Sequence, residues 1–225
     1  MEYSVLKTIY FNPLSKQEDV VEFVLEGEAR VSFENESMRL QNLLDDGLGQ
    51  KANFAFWCPE DFPENIEICW EFKPVREPGL CIMFFSAKGK SGESIFSENM
   101  VKRNGEYDKY HSGDINCYHI SYFRRKWESE RRFHTCNLRK SAGFYLTAQG
   151  ADPLPGIEDS KGFYSIRIVK LEGHISFFIE GLMIFEWFDN GSEYGAVLNG
   201  GKIGFRQMAP LIGEYRNLKI NEIGK

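Results

Sequence analysis

Short runs of alternating apolar and polar residues are the main pattern along this chain. They recur through the 225 residues and are interrupted by Gly, Pro, Asn and Asp, as is typical of strands joined by turns. About fourteen segments fit this pattern. Residues 15–27, SKQEDVVEFVLEG, are the best short helical candidate, although DVVEFVLEG fits a strand equally well. The pattern therefore predicts an all-β protein.

So many strands must hide one face of each sheet that they form. Two antiparallel sheets packed face to face achieve this, and they leave an outer, concave face for a ligand. Residues 86–114 and 150–162 break the strand rhythm, and we interpret them as long loops at the sheet ends, where function often lies. With no linker or internal repeat in view, we expect one β-sandwich domain over residues 1–225.

Residues 113–127, GDINCYHISYFRRKW, concentrate polar chemistry on one predicted strand. Because successive side chains of a strand point to opposite faces, one face would carry Tyr118, Ile120, Tyr122 and Arg124. The other face would carry His119, Ser121, Phe123 and Arg125.

Three other predicted strands separate their faces more clearly. The residues predicted to point inward are Cys136, Leu138, Ile203, Phe205, Ile66, Ile68, Trp70 and Phe72. Those predicted to point outward are Thr135, Asn137, Arg139, Arg206, Glu67, Cys69 and Glu71. Outward rows on one sheet would form a polar platform of arginines and amides beside aromatic rings, which suits a sugar polymer.

Charge narrows the classes of partner. The net charge of −6 argues against non-specific binding to nucleic acid or to an anionic membrane. The first residues lack a secretory signal pattern and no segment is long and apolar enough to span a membrane, so we expect a cytoplasmic protein. Five cysteines without a C-x-x-C pair predict free thiols rather than disulfides or a zinc site.

One region reverses the overall charge. Residues 118–140 contain seven Arg or Lys residues and two Glu residues, a local excess of five positive charges. This excess favours an anionic ligand such as a uronic acid. The alternative is that residues 124–132, RRKWESERR, form a solvated hairpin whose mixed charges only maintain solubility.

Three sequence blocks carry a family resemblance: YHSGDINCYHISYFRR (110–125), FHTCNLRKSAGFYLTAQGADPLP (133–155) and GKIGFRQMAPLIGEYRNLKI (201–220). They resemble the bacterial YesU-type family of unknown function, over about residues 66–220. The resemblance implies a concanavalin A-like, galectin-like jelly roll and an association with pectin or rhamnogalacturonan utilisation. It transfers no catalytic residue, and the fold alone does not define a function.

Three functions remain open. The first is a lyase that acts on uronate-containing oligosaccharides by β-elimination, which needs a cation or amide near the carboxylate and a Tyr or His for proton transfer. Its candidate catalytic residues are His119, Tyr122 and Arg139. The candidate substrate-binding residues are Tyr110, His111, Asp114, Asn116, Arg124, Arg125, Asn137, Lys140, Arg206 and Gln207.

The second function is a glycoside hydrolase, for which Glu67 and Glu71 have a suitable spacing, although Cys69 stands where this fold's hydrolases carry an aspartate. The third is a non-catalytic, lectin-like sugar-binding module. In each case the expected partner is an anionic oligosaccharide rather than nucleic acid or a membrane, and the protein is a monomer or homodimer. We expect no cofactor; a structural calcium ion, held by carbonyls and carboxylates of residues 58–65, CPEDFPEN, is kept as an alternative.

Overall fold

Two antiparallel sheets make up the structure, a computed structural model that describes residues 2–225. The first is an eight-stranded sheet in which β1 (Ser4–Asn12) pairs with the C-terminal part of the long strand β15 (Ile212–Gly224). From edge to edge its strands are β13 (Leu182–Phe188), β12 (His174–Ile179), β11 (Tyr164–Leu171), β6 (Ile66–Arg76), β15 (Ile212–Gly224), β4 (Ser37–Asn42) and β3 (Ala29–Glu34), with β1 (Ser4–Asn12) beside β15.

The second sheet has seven strands and carries most of the residues singled out above. From edge to edge they are β10 (Tyr145–Ala151), β9 (Thr135–Ser141), β8 (Ile115–Tyr122), β7 (Leu80–Gly89), β14 (Lys202–Met208), β5 (Phe54–Trp57) and β2 (Val24–Glu26). The segment GDINCYHISY thus lies in the middle of this sheet, with the basic strand β9 as its neighbour.

Helical structure in residues 2–225 is limited to short pieces. Two 3₁₀ segments span Gln17–Val20 and Asp46–Ala52, and two single-turn α-helices span Asp108–His111 (α1) and Glu128–Arg132 (α2). The helical candidate at residues 15–27 is therefore divided, because its start forms a 3₁₀ turn and its end forms strand β2. The predicted charged hairpin is instead the helix α2, whose first turn is capped by Glu130.

The core between the sheets follows the predicted alternation on four strands. On β6, Ile66, Ile68, Trp70 and Phe72 point inward, which confirms their predicted face. The inward residues of β8, β9 and β14 include Tyr118, Ile120, Tyr122, Cys136, Leu138, Ile203 and Phe205. Burial of each large apolar side chain contributes about 1.5–3 kcal/mol to the free energy of folding. Packing of the inward apolar rows of the two sheets is therefore the main source of stability of the sandwich.

A second apolar cluster lies on the outer face of the seven-stranded sheet. Residues 90–111 fold back over strands β5, β7 and β14, and the ring of Tyr110 stacks on Phe84 with centroids 5.3 Å apart. Trp57 also packs against Phe84 at 5.3 Å, and its ring centroid lies 6.3 Å from that of Tyr110. Gly105 has φ +89° and a Cβ at this position would overlap the backbone oxygen of Asn53, so the segment approaches the sheet as closely as only glycine allows.

Because residues 90–111 cover the rest of this outer face, the accessible half is formed by β9, β10 and the adjoining ends of β7, β8 and β14. The five cysteines are all unpaired, as predicted. In residues 2–225, no helix has both the length and the apolar composition needed to cross a bilayer.

Candidate functional site

A pocket of about 240 Å³ lies on the accessible half of the outer face. Strands β8 and β9 supply its floor, because alternation turns Ser121, Asn137 and Arg139 outward at neighbouring positions. The predicted outward faces of Asn137 and Arg139 are thus confirmed. The residues that line the pocket are Gln50, Leu80, Ile82, Tyr107, Ser121, Arg124, Trp127, Glu130, Asn137, Arg139, Phe144 and Met208.

Arg124 reaches the pocket through a break in strand alternation. Phe123 adopts a left-handed conformation with φ +46° and its side chain is buried in the core between the sheets. As a result Arg124 turns to the outer face and Arg125 turns inward, so the predicted assignment of these three side chains was wrong. The guanidinium of Arg124 donates to Thr135 Oγ1 and to Glu130 Oε1, both at 2.7 Å.

Arg139 lines the pocket, and its guanidinium is available to pair with an anionic ligand. Its guanidinium carbon lies 3.8 Å from the ring centroid of Phe144, and its Nη1 donates to the Phe144 carbonyl at 2.8 Å. Within the described range 2–225, Arg139 has no ion-pair partner. Partial burial lowers the pKa of Arg139 from its usual value.

Part of the predicted local excess of positive charge is neutralised by carboxylates from other parts of the fold. Arg125 pairs with Asp152 at 3.2 Å, and Lys140 pairs with Asp189 at 2.6 Å. Arg132 pairs with Glu128 and Arg124 pairs with Glu130. Of the two arginines that line the pocket, Arg124 is paired with Glu130 and Arg139 has no carboxylate partner within residues 2–225.

Aromatic side chains form the rim of the pocket. Trp127 is 54% exposed and Phe144 is 37% exposed. His111 lies against Phe144 with ring centroids 4.2 Å apart, and its Nδ1 is 2.7 Å from Ser112 Oγ. Burial lowers the pKa of His111, which favours the neutral imidazole.

Tyr107 forms one wall and links the pocket to two buried polar groups. Its hydroxyl oxygen lies 2.8 Å from His119 Nε2, and the guanidinium carbon of Arg206 lies 4.5 Å from its ring centroid. Burial, reinforced by the positive charges of Arg139 and Arg206, holds the pKa of His119 well below its usual range. A neutral imidazole can accept a hydrogen bond from the Tyr107 hydroxyl, and this bond holds the Tyr107 wall in place.

Arg206 lies beneath this wall and is fully buried. Its Nη2 donates to Gln50 Oε1 at 3.1 Å and to the Gly105 carbonyl at 3.0 Å. Its Nε and Nη1 have no hydrogen-bond partner among residues 2–225. Burial lowers the pKa of Arg206 to about 10, so the group is still cationic at neutral pH.

Four of the predicted site residues point into the interior instead. Tyr122 lies between the sheets and accepts a hydrogen bond from Trp70 Nε1 at 3.2 Å. Gln207 is buried and accepts from the Tyr215 hydroxyl at 2.7 Å. Lys140 and Arg125 make the buried ion pairs described above. These side chains hold the sandwich together and do not contact the pocket.

Three further predicted residues fix segments beside β8, two of them in the preceding loop and one in the turn between β9 and β10. The Tyr110 hydroxyl accepts from the Gly105 N–H at 3.0 Å, and Asp114 Oδ2 accepts from the Val101 N–H at 2.6 Å. Asn116 Oδ1 accepts from the Ala142 N–H at 3.3 Å. None of the three lines the pocket, so each positions a segment.

Several pocket residues were not among the candidates. Tyr107 and Gln50 reach the pocket only because residues 90–111 and the 3₁₀ segment Asp46–Ala52 fold over the sheet, whereas Met208 reaches it from the end of β14. Ser121 could have been found, since it shares a strand face with His119. The sequence around Trp127, Glu130 and Phe144 has no strand alternation or motif that would place these side chains at the pocket.

The hydrolase candidates lie on the other sheet. Glu67 and Glu71 point outward from β6, as predicted, but Arg167 contacts Glu67 at 3.2 Å and Arg216 contacts Glu71 at 2.6 Å. Their carboxylates are therefore bound to arginines on a face remote from the pocket.

The proposed calcium loop already has a cationic partner. Lys202 Nζ donates to the Pro59 carbonyl at 2.5 Å and to Asp61 Oδ2 at 2.6 Å. Residues 2–225 contain no group of three or more His, Cys, Asp or Glu side chains arranged to hold a metal ion.

Residues 7–220 match the family described as a domain of unknown function, DUF1961. The uncharacterized protein YesU of Bacillus subtilis (strain 168) is 49% identical over 214 residues, which are 95% of each chain. A crystal structure of a Bacillus subtilis protein of unknown function with a galectin-like fold has 47% identity and a TM-score of 0.96, and covers 100% of both chains.

A more distant structure shares the fold alone. The carbohydrate-binding module CBM66 from Bacillus subtilis has a TM-score of 0.55 and 8% identity, over 88% of this chain and 94% of its own. Together with the two antiparallel sheets, these structures confirm the predicted galectin-like jelly roll. The matching family model and the YesU relative show that this chain belongs to the DUF1961 family.

Proposed function

We propose that this protein binds an oligosaccharide that contains an acidic sugar, with the acidic residue in the pocket between Tyr107, Arg139 and Trp127. The observation that carries the proposal is the unpaired guanidinium of Arg139 beside exposed aromatic rings. A guanidinium fork binds a carboxylate with paired, charge-assisted hydrogen bonds. The uronates of pectin-like polymers are the class of ligand that we propose.

The remaining polar groups suit the hydroxyls of a sugar ring. Ser121, Asn137 and Glu130 line the same pocket, and between them they offer both donors and acceptors. The Asn137 amide also contacts the Gln149 amide at 2.7 Å, which holds it in place. The exposed ring of Trp127 provides an apolar face for the C–H side of a pyranose ring, whereas the Phe144 ring is covered by Arg139 and His111. The carbohydrate-binding module with the same fold is consistent with this proposal.

β-Elimination is a second candidate function, favoured by the contact between Tyr107 and His119. In this reaction the C5–H and C4–O bonds of a uronate break, a C4=C5 bond forms, and the leaving oxygen takes a proton. The C5 proton would pass to the Tyr107 oxygen while the phenol proton moves to His119 Nε2. Tyr107 would then give a proton to the leaving oxygen, and His119 would return its proton to the phenolate. Burial raises the pKa of Tyr107 and lowers that of His119, and both shifts oppose this transfer unless a bound carboxylate stabilises the imidazolium. Binding is therefore the function that the geometry supports best.

The test compares uronate oligomers with neutral oligomers of equal length by titration calorimetry. We expect galacturonate oligomers to bind and the Arg139→Met variant to lose about 1.5–3 kcal/mol of affinity, the range for hydrogen bonds to charged groups. Arg30→Met, an exposed arginine on β3 of the opposite sheet, is the matched control and should bind normally. Equal loss in both variants, or no binding of any uronate, would refute the proposal.

The same mixtures separate binding from elimination. A product that gains the ultraviolet absorbance of an unsaturated uronate, and that is lost in Tyr107→Phe and His119→Gln, would establish the second candidate. We further propose that the protein acts inside the cell, where its five unpaired thiols would stay reduced.

A further inference from the structure

We infer that the pocket receives the end of an oligosaccharide chain rather than an internal segment. This inference rests on the proposed function and adds the position that the acidic sugar occupies in its polymer. It follows from the shape of the accessible outer face, which is closed on three sides and open on the fourth.

The inner side is closed by the covering segment. Residues 90–111 occupy the outer face over β5 and β14, where Tyr110, Trp57 and Phe84 stack without a gap for a sugar chain. Tyr107 and Met208 stand at the boundary of this covered half and line the pocket. A polymer lying across the sheet would have to pass through this packed cluster.

The inner wall is held firmly. Its polar anchors are the Tyr107–His119 contact at 2.8 Å and the two hydrogen bonds from Arg206 to Gln50 and Gly105. Each buried hydrogen bond that is left unmade costs about 1–3 kcal/mol. Displacement of the wall by a passing chain would expose several such groups at once.

The two strand ends are also closed. At one end Trp127 and Glu130 rise from α2, where Glu130 is tied to Arg124 at 2.7 Å. At the other end Phe144, in the turn between β9 and β10, stacks on Arg139. The sides of the pocket therefore come from three separate segments of the chain.

The remaining side opens across the edge strand β10. Gln149 is exposed beside Asn137, and Leu146 is 45% exposed opposite Arg139. Strand β10 is the edge of its sheet, so a chain that leaves the pocket would continue across it to solvent. The volume of about 240 Å³ is below the roughly 300–1,000 Å³ of pockets for drug-sized ligands, which suits a terminal unit and not a longer segment.

The test uses galacturonate mono-, di-, tri- and hexamers, with hexamers modified at the reducing end by a bulky amine or at the non-reducing end by a bulky acyl group. Calorimetry should show affinity that stops rising after the trimer. One of the two modified hexamers should bind at least about tenfold more weakly, a difference of 1.4 kcal/mol, while the other binds like the unmodified hexamer.

A variant at the open side provides a second measurement. Leu146→Ala should weaken binding of the trimer and leave binding of the monomer unchanged, because only the second sugar passes over β10. Leu182→Ala, an exposed leucine on the edge strand β13 of the other sheet, is the matched control. Equal binding of all hexamers, with affinity that rises steadily with length, would overturn the chain-end inference while the proposed function stands. Failure of every unmodified oligomer to bind would overturn both.

Discussion

The buried imidazole of His119 makes the stability of this protein depend on pH in a way that can be calculated. His119 is 1% exposed, and burial next to the positive charges of Arg139 and Arg206 keeps its pKa well below 6.5. In the unfolded chain the same imidazole titrates near its ordinary value of about 6.5. Below that pH the imidazole binds a proton in the unfolded chain but stays neutral in the folded protein. The free energy of unfolding therefore falls as the pH falls.

The magnitude follows from the two protonation curves. If the folded state stays unprotonated, lowering the pH from about 7.5 to about 5.5 stabilises the unfolded chain by about 1.4 kcal/mol through His119 alone. Urea unfolding at both pH values measures the change in the free energy of unfolding for the wild type and for His119→Gln, which is neutral throughout. The wild type should lose about 1.4 kcal/mol more than the variant between the two pH values.

The variant also serves as the control for every other titrating group. His111 and the carboxylates remain in both proteins, so their contributions largely cancel in the difference. An equal pH dependence of the wild type and His119→Gln would refute the reasoning, because it would mean that His119 is protonated in the folded protein as readily as in the unfolded chain.

Three further predictions test the framework around the pocket. Arg125→Leu should cost about 3–5 kcal/mol in urea unfolding, because it leaves the buried carboxylate of Asp152 without its partner, and the double variant with Asp152→Asn should recover part of this loss. Gly105→Ala should lower the melting temperature and release residues 90–111 to faster hydrogen exchange, since its φ of +89° and its contact with Asn53 exclude a Cβ; unchanged exchange would contradict this. Trp127→Ala should change stability by less than about 0.5 kcal/mol, because this side chain is 54% exposed, and it should weaken uronate binding; unchanged binding would remove Trp127 from the site.

The outward rows of β6, β9 and β14 show what local pattern can predict. In Thr135–Ser141, alternation alone assigned Cys136 and Leu138 to the core and Asn137 and Arg139 to the outer face, and the structure agrees. The period of two follows from the geometry of each strand, so no knowledge of the partner strands is needed. Alternation failed at Phe123, because a single left-handed residue shifts the pattern by one position.

Electrostatic pairing could not be predicted from the same segment. The seven basic residues of 118–140 were expected to form a positive surface, yet Lys140 pairs with Asp189 and Arg125 pairs with Asp152. Asp189 is far from Lys140 in sequence, and it comes near only when the two sheets stack. Charge counted along the chain therefore overestimated the charge that a ligand meets.

The sequence by itself determined the class of fold, the inward rows that form the core, and the strand that carries His119. These properties depend on neighbours one or two residues apart, which alternate between an apolar interior and solvent. Only the tertiary structure decided that Tyr107 stands over Arg206 and beside His119, and that the accessible face is half closed. The path of residues 90–111 over the sheet depends on contacts with strands distant in sequence, such as β5 and β14, and no local period encodes such contacts.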